Sequence, residues 1–142
     1  IDDLGLSQSL KNLVTNWNNR SNGKTSHQLT LVGNIETLPE PLPVNIYRIV
    51  QECLTNIAKH ADASQAKVTL NYSPDQNLYL DITDDGIAKL EDFDNTLGVG
   101  LLGIHERVTA LGGKLKVSPS EDSGLTISIS LPVIPQQKNR HE

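Results

Sequence analysis

The chain is poor in cysteine and has no cluster of basic side chains. These two features limit the compartment and the kinds of partner that we expect for it. Its 142 residues include one cysteine, Cys53, which cannot form an internal disulfide and falls on the apolar side of a predicted helix. A single cysteine without a disulfide partner is typical of proteins in a reducing compartment such as the cytoplasm. The net charge is −5 without a basic stripe. We therefore expect no direct nucleic-acid partner, since phosphate backbones are normally met by clustered cations.

Long apolar runs and several familiar site motifs are also absent. Charge interrupts every apolar run within a few residues, so we predict neither a membrane span nor a secretory signal. No Walker phosphate loop, zinc-ligand spacing or nucleophile elbow occurs. The sequence opens in mid-pattern at Ile1-Asp2-Asp3-Leu4, without Met, and we interpret it as part of a longer protein.

Hydrophobic periodicity predicts one domain of alternating helices and strands. The predicted helices cover 6–20, about 43–60, and 101–111. The predicted strands cover 28–33, 66–72, 78–83, 114–118 and 125–131. Residues 86–97 lack a period and are predicted to form a loop. We divide the chain into a connection and first helix (1–24), the main domain (25–135) and a polar tail (136–142).

The helix at 43–60 carries one polar stripe at the rim of its apolar face. Glu52, Asn56 and Lys59 fall together beside the apolar arc, with His60 at its edge. An amide oxygen suits Mg²⁺ that keeps most of its waters, and a lysine suits phosphate oxygens. The alternative is a solvated helix face. We interpret the stripe as a candidate pocket floor.

Two further clusters follow along the chain. Asp84 ends an alternating strand, and its carboxylate is an acceptor suited to an exocyclic amine such as that of adenine. Gly86 lets the backbone pass close to a flat ring, although Asp-Asp-Gly is also ordinary turn chemistry. Gly98 and Gly100 precede Leu101 at the start of a helix, where free N–H groups favour anions. A glycine pair also serves as a hinge or cap.

In this order the clusters resemble the catalytic ATP-binding domain of sensor histidine kinases, within the gyrase, Hsp90, histidine kinase and mismatch-repair ATPase superfamily. Segments 48–61, 84–86 and 98–101 resemble the N, G1 and G2 boxes of that family. Segment 102–113, after the G2 box, and the opening Asp2-Asp3-Leu4-Gly5-Leu6 are similar to the nitrate-sensor and hexose-phosphate-sensor subfamily. The resemblance covers nearly the whole chain.

The resemblance implies a two-layer α/β (α+β) sandwich of the Bergerat type, with a mixed sheet covered on one face by helices. It implies Mg²⁺ ligation by Asn56 and catalysis by Glu52 near the γ-phosphate of ATP. The implied nucleotide-binding residues are Asn56, Lys59, His60, Asp84, Gly86, Ala88, Gly98, Gly100, Leu101 and Thr126. Residues 87–97 would form a lid over the nucleotide.

Two positions depart from the family pattern. Ala88 stands where the G1 box has a second glycine, and its methyl group would strain a backbone that needs a positive φ or would press on the nucleotide. Leu125 separates Gly124 from Thr126, whereas relatives usually have Gly directly before Thr. We expect this second departure to alter only a turn.

The implied activity is phosphoryl transfer in a two-component system. The phosphoacceptor histidine would lie on a dimerisation domain absent from this sequence, so the chain alone should not phosphorylate itself. Implied partners are that domain, a response regulator with a LuxR-type DNA-binding domain, and a second copy in a homodimer. The chain would be a cytoplasmic domain. A membrane-anchored sensor is one kind of protein that could carry it.

Two alternatives stay open. One is a degenerate, weakly ATP-binding or non-binding interaction module, which Ala88 favours. The other is an anti-sigma-type serine kinase, which shares the boxes. The segment after Gly100 and the opening Asp2-Asp3-Leu4 argue against the serine kinase.

Overall fold

A computed structural model of the chain describes residues 5–60, 62–87, 100–121 and 123–134. Within these residues the chain forms three α-helices and five strands. In chain order they are α1 (Gly5–Ser21), β1 (Ser26–Val32), α2 (Leu42–His60), β2 (Gln65–Tyr72), β3 (Asn77–Asp84), α3 (Gly100–Ala110), β4 (Lys114–Pro119) and β5 (Leu125–Pro132). A short 3₁₀ turn at Ile35–Thr37 precedes α2.

The strands form one mixed sheet in the order β1-β2-β3-β5-β4. β1 pairs with β2 in parallel, and the other three pairings are antiparallel. A parallel pair needs a crossover connection, and α2 supplies it. The predicted sandwich, a mixed sheet with helices on one face, is confirmed.

Alternation along the central strands separates the two faces of the sheet. In β3, Leu78, Leu80, Ile82 and Asp84 are buried, whereas the residues between them are more exposed. β5 alternates in the same way, with buried residues at every second position from Leu125 to Leu131. Because successive side chains point to opposite faces, one face is apolar and the other polar. Asp84 therefore lies on the apolar face at the end of β3.

The helices cover that apolar face. The apolar arc predicted for α2 is buried as expected, with Ile49, Val50 and Leu54 fully shielded from solvent. Burial raises the pKa of the Cys53 thiol on the same arc, and the nearby charge of Glu52 adds to the rise. α3 packs beside α2 through Ile104 and Val108, so the two helices form one layer.

The helix and strand predictions match the observed elements to within two residues at each end. α2 begins at Leu42 with Pro43 in its first turn, where a missing N–H costs no helical hydrogen bond. Most of the predicted loop at 86–97 and the polar tail at 136–142 lie outside the described residues. The division into segments 1–24, 25–135 and 136–142 stays a prediction. Among the described helices, none has the length and apolar character needed to cross a membrane.

Candidate nucleotide site

Asp84 is a buried carboxylate at the end of β3, with 7% of its surface exposed. The backbone N–H of Gly86 donates to its Oδ1 at 2.8 Å, and the backbone N–H of Leu125 also donates to the carboxylate. Burial raises the pKa of Asp84 although these two donors oppose the rise, and the charge of Asp85 adds to it. No Lys or Arg pairs with Asp84 among the residues described. The carboxylate therefore keeps capacity for another donor.

Asp85, the next residue, has a different role. Its Oδ1 accepts the backbone N–H groups of Ser64 at 2.8 Å and Gln65 at 2.9 Å, and its Oδ2 accepts the Ser64 hydroxyl at 2.6 Å. These hydrogen bonds, that of Ser64 foremost, lower the pKa of Asp85. Asp85 thus fixes the start of β2. The Asp85 carboxylate is structural, whereas the Asp84 carboxylate can still accept a hydrogen bond from a ligand.

Gly124 brings the turn before β5 against Asp84. Its φ is +88°, a conformation that L side chains rarely adopt, and a Cβ placed there would lie 2.6 Å from Oδ1 of Asp84. The atom nearest to that Cβ would be the carbonyl oxygen of Asp84. A single turn therefore needs glycine for both its backbone angle and its space.

The polar stripe predicted on α2 is present. Glu52 and Asn56 are half-buried on one side of the helix, and Lys59 is exposed one turn later. The His60 backbone ends α2, and its side chain lies outside what the structure describes. The half-buried amide of Asn56 is accessible at the rim of the core, as the prediction requires.

Glu52 contacts the helix that follows the G2-like segment. Its Oε2 lies 3.7 Å from Nη2 of Arg107, and a Cβ on Gly103 would lie 3.9 Å from its Oε1. Oε1 is buried without a hydrogen-bond donor among the described residues, and so is Nε of Arg107 without an acceptor. Arg107 also donates from Nη1 to Oδ1 of Asn45 at 3.4 Å. Arg107 was not among the predicted site residues, because a pairing between two helices leaves no local period.

The remaining predicted residues are placed in part. α3 begins at Gly100, and Leu101 is buried in its first turn. Gly98 and Ala88 lie outside the described residues, so their expected contacts with phosphate stay predictions. Gly86 lies next to Asp84, as expected.

Thr126 does not lie beside the Asp84 carboxylate. It pairs in register with Thr83, and the two hydroxyl oxygens are 3.1 Å apart on the polar face of the sheet. Its hydroxyl also lies 3.0 Å from that of Ser120, which donates to the Asp84 carbonyl oxygen. Leu125 instead occupies the Asp84 face, because one residue shifts a strand position to the opposite side.

A cavity of about 200 Å³ opens at the ends of β2 and β3, on the Thr83 side of the sheet. All eight residues that line it are polar or charged, among them Lys67, Asp85 and Ser120. Asp84 itself is among the lining residues. Ligand pockets that hold flat rings are usually walled by apolar side chains, so this polar lining does not match a purine pocket.

The family model described as "Histidine kinase-, DNA gyrase B-, and HSP90-like ATPase" matches residues 42–135, which include α2, Asp84, Gly98 and Gly100. The chain belongs to this family. The resemblance to histidine kinases drawn from the sequence is thus confirmed.

Curated relatives point to the same branch of the family. The chain is 41% identical over 109 residues to sensor histidine kinase YxjM of Bacillus subtilis, covering 75% of this chain and 25% of the relative. It is 40% identical over 133 residues to the histidine-protein kinase/phosphatase UhpB of Salmonella typhimurium, covering 93% and 25%. The nitrate/nitrite sensor protein NarQ of Escherichia coli is 35% identical, with 75% and 19% covered. The chain spans about a quarter or less of these relatives.

Solved structures share the fold. The histidine kinase domain of a blue-light-activated kinase from Erythrobacter litoralis superposes with a TM-score of 0.73 at 24% identity, covering 91% of this chain and 61% of the other. Histidine kinase AdeS of Acinetobacter baumannii gives a TM-score of 0.71 at 19% identity, covering 91% and 65%. Together with the family match, this makes the chain a histidine-kinase-type ATP-binding domain.

Proposed function

We propose that this domain holds Mg-ATP and transfers the γ-phosphoryl group to a histidine on a dimerisation domain of the same protein. The observation that carries the proposal is Asp84, a buried carboxylate without a cationic partner among the described residues. Carboxylates with a pKa raised by burial, such as Asp84, cluster at functional sites. In such a site a ligand supplies the missing hydrogen-bond donor. The exocyclic amine of adenine is such a donor.

The phosphates would lie between α2 and the start of α3. The N–H groups at the start of α3 favour anions, and Lys59 adds a cation at the end of α2. Gly98 and Gly100 would let phosphate approach the backbone. His60 and Ala88 would lie at the edges of the nucleotide, and Leu101 would close the apolar side. Thr126 would act only through Ser120 and the Asp84 backbone.

Mg²⁺ fits the donors present. The described residues contain no group of three or more His, Cys, Asp or Glu side chains placed for a metal. Magnesium in phosphoryl transfer needs no such cage, because water and phosphate supply most of its ligands. The Asn56 amide oxygen would hold the ion, which neutralises phosphate charge when bound. The Glu52 side chain, 37% exposed on the same stripe, would hold a water of its hydration shell.

The transfer step joins two domains. The bond between the γ-phosphorus and the bridging oxygen breaks, ADP leaves, and a new phosphorus–nitrogen bond forms to the acceptor imidazole. Glu52 would assist in removing the imidazole proton, and Arg107 would keep its carboxylate directed toward the site. The chain contributes position and charge, which is most of what phosphoryl transfer requires.

The wider setting is part of the same proposal. The phosphoryl group would pass to a response regulator with a LuxR-type DNA-binding domain, and the complete protein would act as a homodimer. The domain would work in the cytoplasm. The subfamily resemblance supports these assignments, together with relatives that are named as a histidine kinase and a nitrate/nitrite sensor.

Calorimetric titration with a non-hydrolysable ATP analogue, with and without Mg²⁺, tests the nucleotide site. We expect dissociation constants between about 1 μM and 1 mM, or roughly −8 to −4 kcal/mol. Asp84→Asn should abolish the binding, because an acceptor becomes a mixed group. Asp81→Asn is the matched control, since Asp81 lies on the same strand and on the polar face. Equal losses in both variants would contradict the adenine role.

The transfer assay separates the alternatives. A separately made histidine-bearing dimerisation domain should acquire the γ-phosphoryl group, and a serine-bearing protein substrate should not. Absence of nucleotide binding by the folded chain would instead favour the degenerate module. Ala88→Gly would then be the first variant to restore binding.

A further inference from the structure

A cavity of about 310 Å³ lies between the end of α1, the start of β1 and the end of α2. Its apolar walls come from Trp17, Ile57, Ala58 and Ala63. The volume is at the lower end of the range for small-molecule sites. Nothing in the proposed kinase mechanism uses this cavity.

The cavity is separate from the nucleotide stripe. At roughly 100° per residue, Ile57 lies about 100° and Ala58 about 160° around α2 from Asn56, so both project away from the polar stripe. α1 packs against α2, and its Trp17 lines the cavity together with Ile57 and Ala58. A ligand here would therefore bind without occupying the proposed phosphate or adenine positions.

Two cations border the cavity. The Arg20 guanidinium lies 4.8 Å from the centre of the Trp17 ring, and Nζ of Lys24 lies 3.2 Å from Oδ1 of Asp62. Both basic residues and Asp62 line the cavity, so its formal charge sums to +1. The Lys24–Asp62 pair is exposed, with 70% and 61% of the side chains accessible, and such pairs are weak. An anionic group can compete with Asp62 for the two cations.

His27 supplies a directed acceptor to the cavity. Its Nδ1 lies 2.9 Å from Oδ1 of Asn18, and the Asn18 Nδ2 donates to the His27 carbonyl oxygen. Because the Asn18 oxygen only accepts, Nδ1 carries the proton and Nε2 is left as an acceptor in the neutral ring. Burial lowers the pKa of His27, which favours that neutral form. His27 is 6% exposed and lines the cavity.

We propose that this cavity binds a small aromatic acid that carries a hydroxyl or N–H group. The flat body would contact Trp17 and the apolar wall, the carboxylate would pair with Arg20 and Lys24, and the donor would meet Nε2 of His27. A ligand needs the flat ring, the carboxylate and the donor together to contact the Trp17 wall, the two cations and His27. The proposal does not rest on the kinase assignment.

Titration with 4-hydroxybenzoate, followed by ¹H–¹⁵N NMR, tests the site. Trp17 is the sole tryptophan of the chain, so its one indole signal reports directly on this cavity. We expect a saturable shift with a dissociation constant in the millimolar range or tighter. Benzoate, which lacks the donor, and 4-hydroxybenzyl alcohol, which lacks the charge, should each bind at least about threefold more weakly.

Variants assign the charge contacts. Arg20→Gln and Lys24→Gln should each weaken 4-hydroxybenzoate at least about threefold, and Lys11→Gln on the exposed side of α1 should leave it unchanged. Asp62→Asn should tighten binding, because it removes the competing carboxylate. Its φ of +52° suits Asn equally, so the variant should keep the fold.

Three outcomes would overturn the proposal: no saturable shift of the Trp17 signal, equal binding of the uncharged analogue, or displacement of 4-hydroxybenzoate by a non-hydrolysable ATP analogue. Displacement would place the acid in the nucleotide site. A chain that fails to bind nucleotide but binds 4-hydroxybenzoate would overturn the kinase proposal alone.

Discussion

The backbone of Gly124 lies against Asp84, where any side chain on Gly124 would collide with the Asp84 carbonyl oxygen and with its carboxylate. The turn before β5 therefore approaches β3 closely enough for the Leu125 N–H to donate to Asp84. This approach holds the candidate adenine-binding carboxylate in place. Loss of the glycine should affect both stability and binding.

Gly124→Ala should destabilise the chain by about 2–4 kcal/mol, from backbone strain plus the collision. Urea denaturation measures the change. Gly23→Ala is the matched control, because Gly23 has a φ of +84° with open space around a Cβ. We expect the control to lose only about 1 kcal/mol. Similar losses at both sites would mean that the turn relaxes away from Asp84.

Asp84→Asn should leave the nucleotide-free chain at least as stable as the parent at neutral pH. The folded state raises the pKa of Asp84, so the ionised carboxylate costs stability above its folded pKa. That cost shrinks as pH falls below the folded pKa and is gone below the unfolded pKa, where the parent should approach the variant. Thermal unfolding across acidic to neutral pH measures both curves. A marked loss of stability at neutral pH would show that Asp84 is mainly structural.

Asp85→Ala should have the opposite effect. Its carboxylate accepts three hydrogen bonds from Ser64 and Gln65, and we expect a loss of about 1–3 kcal/mol at neutral pH. Because folding lowers the pKa of Asp85, its contribution is present above the unfolded pKa and is lost as pH falls through the lower folded value. Urea denaturation at neutral and strongly acidic pH checks this. An unchanged difference between parent and variant at both pH values would contradict it.

Arg107→Gln should reduce phosphoryl transfer to the separate histidine domain by about 10- to 100-fold, because Glu52 loses the group that directs its carboxylate. Nucleotide affinity should change less than about threefold, since Arg107 is not placed in the binding site. Glu106→Gln, at an exposed neighbouring position, is the control. Arg107→Lys should restore part of the rate. A parallel loss of affinity and rate would indicate that Arg107 only supports the fold.

Thr126→Val should leave nucleotide affinity unchanged, because the Thr126 hydroxyl contacts Thr83 and Ser120 on the polar face. Leu125→Thr should raise affinity a few-fold by placing a hydroxyl on the Asp84 face, at a cost of about 1–2 kcal/mol in stability from lost apolar burial. Calorimetry and urea denaturation measure the two effects. Loss of nucleotide binding in Thr126→Val would show that the Thr126 hydroxyl belongs to the nucleotide site.

The fold was largely predictable because its signals are local. The apolar arc of α2 and the alternation of β3 and β5 each lie within one element, and they predicted the helices, the strands and the place of Asp84 at the end of β3. The same alternation places Thr126 on the polar face, next to buried Ile127, and its implied role in the nucleotide site stays a prediction.

Contacts between distant elements were not predictable. Arg107 meets Glu52 only because α2 and α3 pack side by side, and Asp85 holds Ser64 only because β3 returns beside β2. The cavity at Trp17 likewise depends on how the end of α1 lies over α2. Such sites arise from packing angles, which hydrophobic period and turn residues do not encode.

The crossover through α2 has a consequence for the order of folding. β1 has one partner in the sheet, β2, and the helix that carries Glu52 and Asn56 lies between these two strands in sequence. The β2–β3 hairpin closes a short loop and can form early, whereas β1 must wait until the intervening chain has compacted. We expect the first strand to be the last to join the sheet, and the polar stripe of α2 to be assembled in the same late step.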